Sequence, residues 1–441
     1  MNELSKKLIE AVKKDLTPSL GVTEPGAIAY AAAEAARAVG GKVSGVTVRL
    51  NSGIYKNSFT CAVPGTDGMG CALAAALGAV AGDPKKKLLS TEGASPDEIS
   101  EAKRLVSEGK ARAELAAISP EVFIEAEVET ENGVSRAVVS GRHDRLTGLT
   151  VNEKDIPVSG AVEALKAPFR VSSVSFDDVI ECVETAEGLE FLDSAVKMDL
   201  DLLAAGEKQG LVPLTLSRFP SGDHRASEWS FAEYMTCGAI EARVRGADAP
   251  AMAITGSGSH GILCMLPVFA SAEFEGAASG RTIGKPILRR ALLLSALVTM
   301  YIKECSGLLS TACGCVLAGG TGAALGLTYL LAKIPPDVTE DMSALKEMLT
   351  DALDSMAASV TGMICHGGNT GCSLKAAVGV DMAFTAARMA VNGFGAESVH
   401  GILGASPEET IRNMGRVSRD MLPVEKTILD IMSCKDGGKL L

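Results

Sequence analysis

Four cysteines lie among glycines in two short stretches, Cys313 and Cys315 in STACGC and Cys365 and Cys372 in GMICHGGNTGC. Thiolates are soft ligands suited to zinc or to iron–sulfur clusters. Glycine lets a loop bend until several sulfurs face one point while its amide N–H groups stay free to bond them. No CxxC pair is present, which argues against a ferredoxin-type run or a zinc ribbon and leaves scattered ligands to be gathered by the fold. From spacing alone, a metal or cluster site and buried structural thiols stand as equal alternatives, because free cysteine is among the most buried residue types. A third stretch, GSGSHG from Gly256 to Gly261, precedes the apolar run ILCMLPVFA. N–H groups at such a helix start form an anion pocket to which Ser257, Gly258 and Ser259 would contribute, and a plain glycine-rich turn gives the same pattern. Of the 5 histidines, His260 and His366 fall inside these stretches; His143, His224 and His400 do not. The loop around His224, PSGDH, and the segment VSGAVEAL are each placed as a mobile edge of a site.

The remaining composition narrows what such a site can serve. Lys and Arg number 42 against 54 Asp and Glu, for a net charge of −12 and no dense basic block, so no nucleic-acid partner is expected. MNELSKKLIEAVKKDL carries charges through its apolar pattern and reads as an amphipathic helix rather than an export signal, which places the protein in the cytoplasm. In that reducing compartment 11 cysteines are not expected to form disulfides. The uncharged run from Cys305 to Ala332 is longer than the roughly 20 residues that span a bilayer. It is rich in glycine and no second span supports it, so it reads as a buried helix pair, with no membrane role. A long acidic helical chain with extensive apolar segments is also compatible with a homo-oligomer.

The elements that must position these residues divide in two. Up to about residue 160, helical and strand patterns alternate: Leu4, Leu8, Ile9 and Val12 at helical spacing, the Ala-rich AIAYAAAEAARAV, then β-branched alternation in KVSGVTVRLN. Further strands are predicted in ARAELAAI, VFIEAEVET and SRAVVSGR, with the turn ENG as a hairpin signal, and Ser95 with Glu98 forms a capping box. A connection at about 156–172 leads to a region where helical patterns dominate. The expectation is an α+β protein: an α/β domain with a mixed sheet over 1–160 that contributes N-terminal active-site loops, and an all-α domain over 161–441 that carries the cysteine loops.

Five segments together resemble the L-cysteine desulfidase family, related to the α chain of iron–sulfur L-serine dehydratases: PSLGVTEPGAIAYAAA, KNS with the later VPGT, PAMAITGSGSHGILCMLP, LLSTACGCVLAGGTGAALG and GMICHGGNTGCSLK. They run from one end of the chain to the other in matching order. The resemblance implies a 4Fe-4S cluster held by Cys313, Cys365 and Cys372, with one iron open to substrate as a Lewis acid; Cys315 has no counterpart in it. It implies a lyase acting on a small amino acid, L-cysteine giving pyruvate, ammonia and hydrogen sulfide. Lys56 and Asn57 match the family's Lys–Asn pair and become contacts for the substrate's carboxylate or amine, where a solvated strand end is the plainer reading.

Two departures bear on the base that removes the α-proton. The family reads Gly-Cys-Thr-Glu-Pro near the N-terminus, its cysteine serving as base, and here Val22 stands in GVTEP. Ser259 and His260 replace an Asn-Gln pair, and His366 replaces an acidic residue. A neutral imidazole is a competent base at working pH, so His260 or His366 is expected to take over the missing thiol's role. Glu24, Thr23 and Ser259 would orient the substrate. A dehydratase or another lyase on a different small amino or hydroxy acid, and a non-catalytic cluster or ligand sensor, are the alternative readings.

Overall fold

Alternation along KVSGVTVRLN puts Val46, Val48 and Leu50 on one buried face, and that face sets the first half of the molecule. The computed structural model describes residues 1–159, 169–279, 283–334 and 340–435. The expectations of a connection near 156–172 and of a site edge in VSGAVEAL fall largely on 160–168, outside that set. In chain order the first half contains α1 (Glu3–Asp15), β1 (Thr17–Leu20), α2 (Thr23–Val39), β2 (Val43–Asn51), α3 (Ser52–Ser58), α4 (Cys71–Ala81), α5 (Pro96–Ser107), β3 (Ala111–Ala117), β4 (Phe123–Thr130), β5 (Gly133–Ser140), β6 (Leu146–Val151) and β7 (Lys154–Asp155). Six of these strands form a mixed sheet in the order β3-β2-β4-β5-β6-β7. The β2–β3 pair is parallel and the others are antiparallel. Ile124, Ala126, Val128, Ala137 and Val139 continue the apolar face, which the Ala-rich α2 and α4 cover. Both local signals are present in the structure: Thr130 pairs with Gly133 across the predicted hairpin turn, and Ser95 and Glu98 cap α5 reciprocally.

The second half is a bundle of α6 (Phe176–Thr185), α7 (Glu190–Lys208), α8 (Pro213–Arg218), α9 (Glu228–Val244), α10 (Gly258–Ser279), α11 (Lys285–Ser306), α12 (Thr321–Ala332), α13 (Met342–Val360), α14 (Gly371–Val391), α15 (Pro407–Asp420) and α16 (Leu422–Lys435). A π-helical turn, Cys315–Gly320, runs directly into α12. By length and hydropathy Cys315–Ala332 could span a membrane, yet 89% of it is buried within the protein, so it is a core helix. Within the expected pair, Cys305 and Ser306 end α11, 307–313 form a loop, and Cys315–Ala332 is one continuous helix.

The architecture is α+β, with one departure from an all-α second half. A short strand, β8 (Pro250–Ala253), pairs antiparallel with β1, Thr17 opposite Ala253 and Leu20 opposite Pro250. Four residues whose partner lies far back in the chain leave little local periodicity to detect. The chain ends also cross between the halves. Leu8, Ile9 and Val12 of α1 belong to the helical core, whereas Leu429 of α16 joins the core beneath the sheet and α16 packs on α3. The segments that open α2 and α10 are thus held by contacts from both halves.

Candidate active site

Three predicted loops converge on one cavity enclosing about 530 Å³, part of it open to solvent. The turn into α2 contributes Val22 and Glu24, and α3 contributes Asn57, whose amide donates to Glu24 Oε1 at 2.7 Å. Val22 therefore lines the cavity with a side chain that can neither take nor give a proton. Thr23 lies just behind the wall, fully buried, where its hydroxyl accepts from Arg243 at 3.1 Å.

Residues 254–260 form the second wall. Ile254 and Ser257 exchange backbone hydrogen bonds, and Ser257, Ser259 and His260 face the cavity. Thr255 gives its hydroxyl proton to the carbonyl of Ile254 at 2.7 Å, so toward His260 Nδ1, also at 2.7 Å, it acts as acceptor. That fixes the proton on Nδ1 and leaves Nε2 with its lone pair. Burial, reinforced by Lys303 and Arg243, holds the His260 pKa well below its usual value, so the ring is neutral. Gly258 opens α10 and does not line the cavity; a Cβ there would lie 2.5 Å from Arg243 Nε.

The cysteine loops form the third wall. Cys313 N–H donates to the carbonyl of Met363, and Cys365 N–H to that of Thr311, both at 2.7 Å, so the two stretches are zipped by backbone bonds around the Ala312–Ile364 bridge. Cys315, Cys365 and Cys372 line the cavity. The resemblance implies Cys313 as a ligand and gives Cys315 no counterpart; in the structure Cys315 lines the cavity, whereas Cys313 is 2% exposed and is not among its lining residues. The two thiols are hydrogen-bonded, which favours the thiolate on Cys313 and raises the pKa of Cys315. Cys372 is pushed up to about 12 by burial and by Cys365 and Cys313. The glycines of GMICHGGNTGC permit the close seat of this loop. A Cβ at Gly367 would lie 2.6 Å from the carbonyl of Lys56, and one at Gly368 2.7 Å from Val22 Cγ1.

Besides Thr23, Gly258 and Cys313, two more of the expected residues stand away from the cavity. His366 is exposed and does not line the cavity. Lys56 is buried and forms an ion pair with Glu425 of α16 at 2.9 Å, rather than facing the cavity.

The structure adds two cations that sequence reasoning missed. Arg243, at the end of α9, is 2% exposed; it donates to Ser259 Oγ at 2.7 Å, while its Nε has no partner among the described residues. Lys303, near the end of α11, is equally buried and donates to Ser310 at 3.3 Å. Burial lowers its pKa to about 8 against the opposing pull of Cys315, Cys365 and Cys313. Both line the cavity, and neither has an ion-pair partner among the described residues. A buried unpaired cation is costly, so this wall is built to receive an anion.

The cavity joins thiol donors, a guanidinium without an ion-pair partner among the described residues and a neutral imidazole, groups suited to acid–base chemistry beside an anion. The chain belongs to the serine dehydratase alpha chain family, whose model matches residues 85–430. It is similar along its whole length to UPF0597 proteins. One from Clostridium botulinum (strain Okra / Type B1) is 35% identical over 96% of this chain and 98% of the relative. Others from Caldanaerobacter subterraneus and Geobacter sulfurreducens are 32% and 33% identical, each over 96% of this chain and 97% of the relative. The protein is thus a serine-dehydratase-like lyase, and the relatives' matches extend over the N-terminal residues that reach the cavity.

Proposed function

We propose that the protein is an iron–sulfur-dependent lyase that eliminates the β-substituent of a small amino acid and releases ammonia, with L-cysteine and water giving pyruvate, ammonia and hydrogen sulfide. The observation that carries this reading is the convergence of Cys315, Cys365 and Cys372 with Arg243 and His260 on one cavity. The donor chemistry fits a 4Fe-4S cluster. Among the described residues no three His, Cys, Asp or Glu groups are close enough to hold a single ion, whereas the thiols border a common space, as a polyatomic cluster requires. When bound, the cluster supplies a Lewis-acidic iron that stabilises negative charge developing during the elimination.

The chain's own residues supply the rest. Arg243 and Ser259 bind the substrate carboxylate by charge-assisted hydrogen bonds, beside the N–H groups that open α10. Glu24, steadied by Asn57, faces the substrate's ammonium. His260 Nε2 takes the α-proton while Thr255 holds the tautomer that makes it an acceptor. His366 has no part in this assignment. The protein works in the cytoplasm, where its 11 cysteines would stay reduced.

A dehydratase acting on serine is the second reading, favoured by the apolar Val22 where a desulfidase would carry its base thiol. Anaerobic reconstitution followed by assay of L-cysteine, L-serine and L-threonine decides between them. Sulfide and pyruvate from L-cysteine support the first reading, and pyruvate from L-serine without sulfide chemistry supports the second. Full cluster content with no turnover of any of the three rejects both.

A further inference from the structure

A second cavity of about 390 Å³ adjoins the first, lined by Asp15, Thr17, Arg142, Asp144 and Thr255 among others. His143, from the loop between β5 and β6, lines both cavities. Its ring is 4% exposed, and neither Nδ1 nor Nε2 has a hydrogen-bond partner among the described residues. Buried imidazoles ordinarily bond at least one nitrogen, and leaving both unmade is destabilising. The site nevertheless accommodates the ring deliberately: Gly256 sits at φ +74°, and a Cβ there would stand 2.6 Å from Nδ1. The groups that act on His143 divide between the cavities. Glu24, Lys303 and His260 belong to the first, and Arg142 and Asp144 to the second.

We propose that His143 is the proton relay between the elimination cavity and the second, acidic cavity. This rests on the lyase reading, in which His260 must lose the α-proton before another turnover. One ring nitrogen of His143 accepts a proton from the elimination cavity as its N–H bond forms. The other nitrogen's N–H bond breaks and its proton passes to Asp144, Asp15 or water in the second cavity. The ring ends neutral, in the opposite tautomer, and a rotation or a return exchange resets it. The unpartnered nitrogens follow from this role, since a ring tied to a protein acceptor at either nitrogen would hold one tautomer.

The test combines turnover with a readout that needs no substrate. His143→Gln and His143→Phe, with iron content and far-ultraviolet circular dichroism matched to wild type, are expected to lower kcat at least 10-fold with KM changed less than threefold. Added imidazole is expected to restore activity to His143→Ala. With α-deuterated substrate, wash-out of label from recovered substrate should fall in His143→Phe. Wild-type rates and wash-out in these variants overturn the relay. Independently, ring 15N NMR of the whole protein should show His143 averaging between two tautomers, and a single fixed tautomer overturns the proposal even in an active enzyme. If wild type turns over no amino acid offered, the lyase reading fails while the NMR result still decides the relay.

Discussion

Replacing Arg243 by Met separates a binding residue from a structural one, because the two roles predict opposite balances. In the ligand-free protein the substitution removes hydrogen bonds to Ser259 and Thr23, each worth about 1.5–3 kcal/mol from a charged donor. It also removes a buried cation whose Nε has no partner among the described residues, relieving a penalty of about several kcal/mol. The terms nearly cancel, so unfolding stability should change by no more than about 2 kcal/mol in either direction. Ligand binding has no such compensation. Losing a charge-assisted contact to a carboxylate costs about 3 kcal/mol, which is more than a 100-fold rise in Kd.

The assay follows from linkage. Pyruvate or L-alanine at about 100 times its Kd should stabilise the wild-type protein by about 2.7 kcal/mol, read as a shift in the chemical unfolding midpoint. Arg243→Met at the same concentration should show almost none of it. Undiminished ligand stabilisation in the variant refutes the anchor. So does a loss above about 4 kcal/mol without ligand, which would make the guanidinium a strut.

Three further outcomes test other parts of the site and its frame. Cys315→Ser, Cys365→Ser and Cys372→Ser should each lose most reconstituted iron and sulfide, whereas Cys313→Ser, altered behind the wall, should keep more than half; the reverse order for Cys313 and Cys315 would place the ligand one layer deeper. Lys56→Met should destabilise by about 3–5 kcal/mol by stranding Glu425, and Lys56→Met with Glu425→Leu should recover most of that in a double-mutant cycle on urea unfolding. Burial raises Asp354, which accepts from Thr410 between α13 and α15, from 3.8 to about 6. A carboxyl that holds its proton more tightly when folded contributes stability that is complete below about pH 4 and lost as pH rises through about 6. Asp354→Asn should therefore gain on wild type by about 2–3 kcal/mol between pH 4 and pH 8, and an unchanged gap refutes the shift.

Much of the frame is legible locally because its signals are local. The strand β2 shows its alternation, β4 and β5 their hairpin, and α5 its capping box, each within a few residues. The pairing of β1 with β8 is not, since register between segments so far apart depends on the intervening fold. The cavity loops announce themselves through glycine, yet glycine spacing cannot say which neighbouring side chain turns inward. STACGC presents Cys313 and Cys315 alike, and only the start of the π-helical turn puts Cys315 on the wall. Nothing local in GRHDRL marks His143 for burial, yet its side chain lies in the interior at 4% exposure.

Arg243 shows what kind of signal was missing. In EARVRG it is indistinguishable from Arg245, and helix propensity treats both alike. Three glutamates on α9 are matched in space: Glu228 with Arg388, Glu233 with Arg218, and Glu241 with Arg245. Once those pairs are drawn, Arg243 is the cation on that helix with no ion-pair partner among the described residues, in a cavity where the one carboxylate they supply, Glu24, is engaged by Asn57. An uncompensated charge becomes visible only after long-range pairing is known, so the anion site is a property of the tertiary structure. Among the described residues no carboxylate pairs with it, and on the proposed function the carboxylate of a small substrate is what completes it.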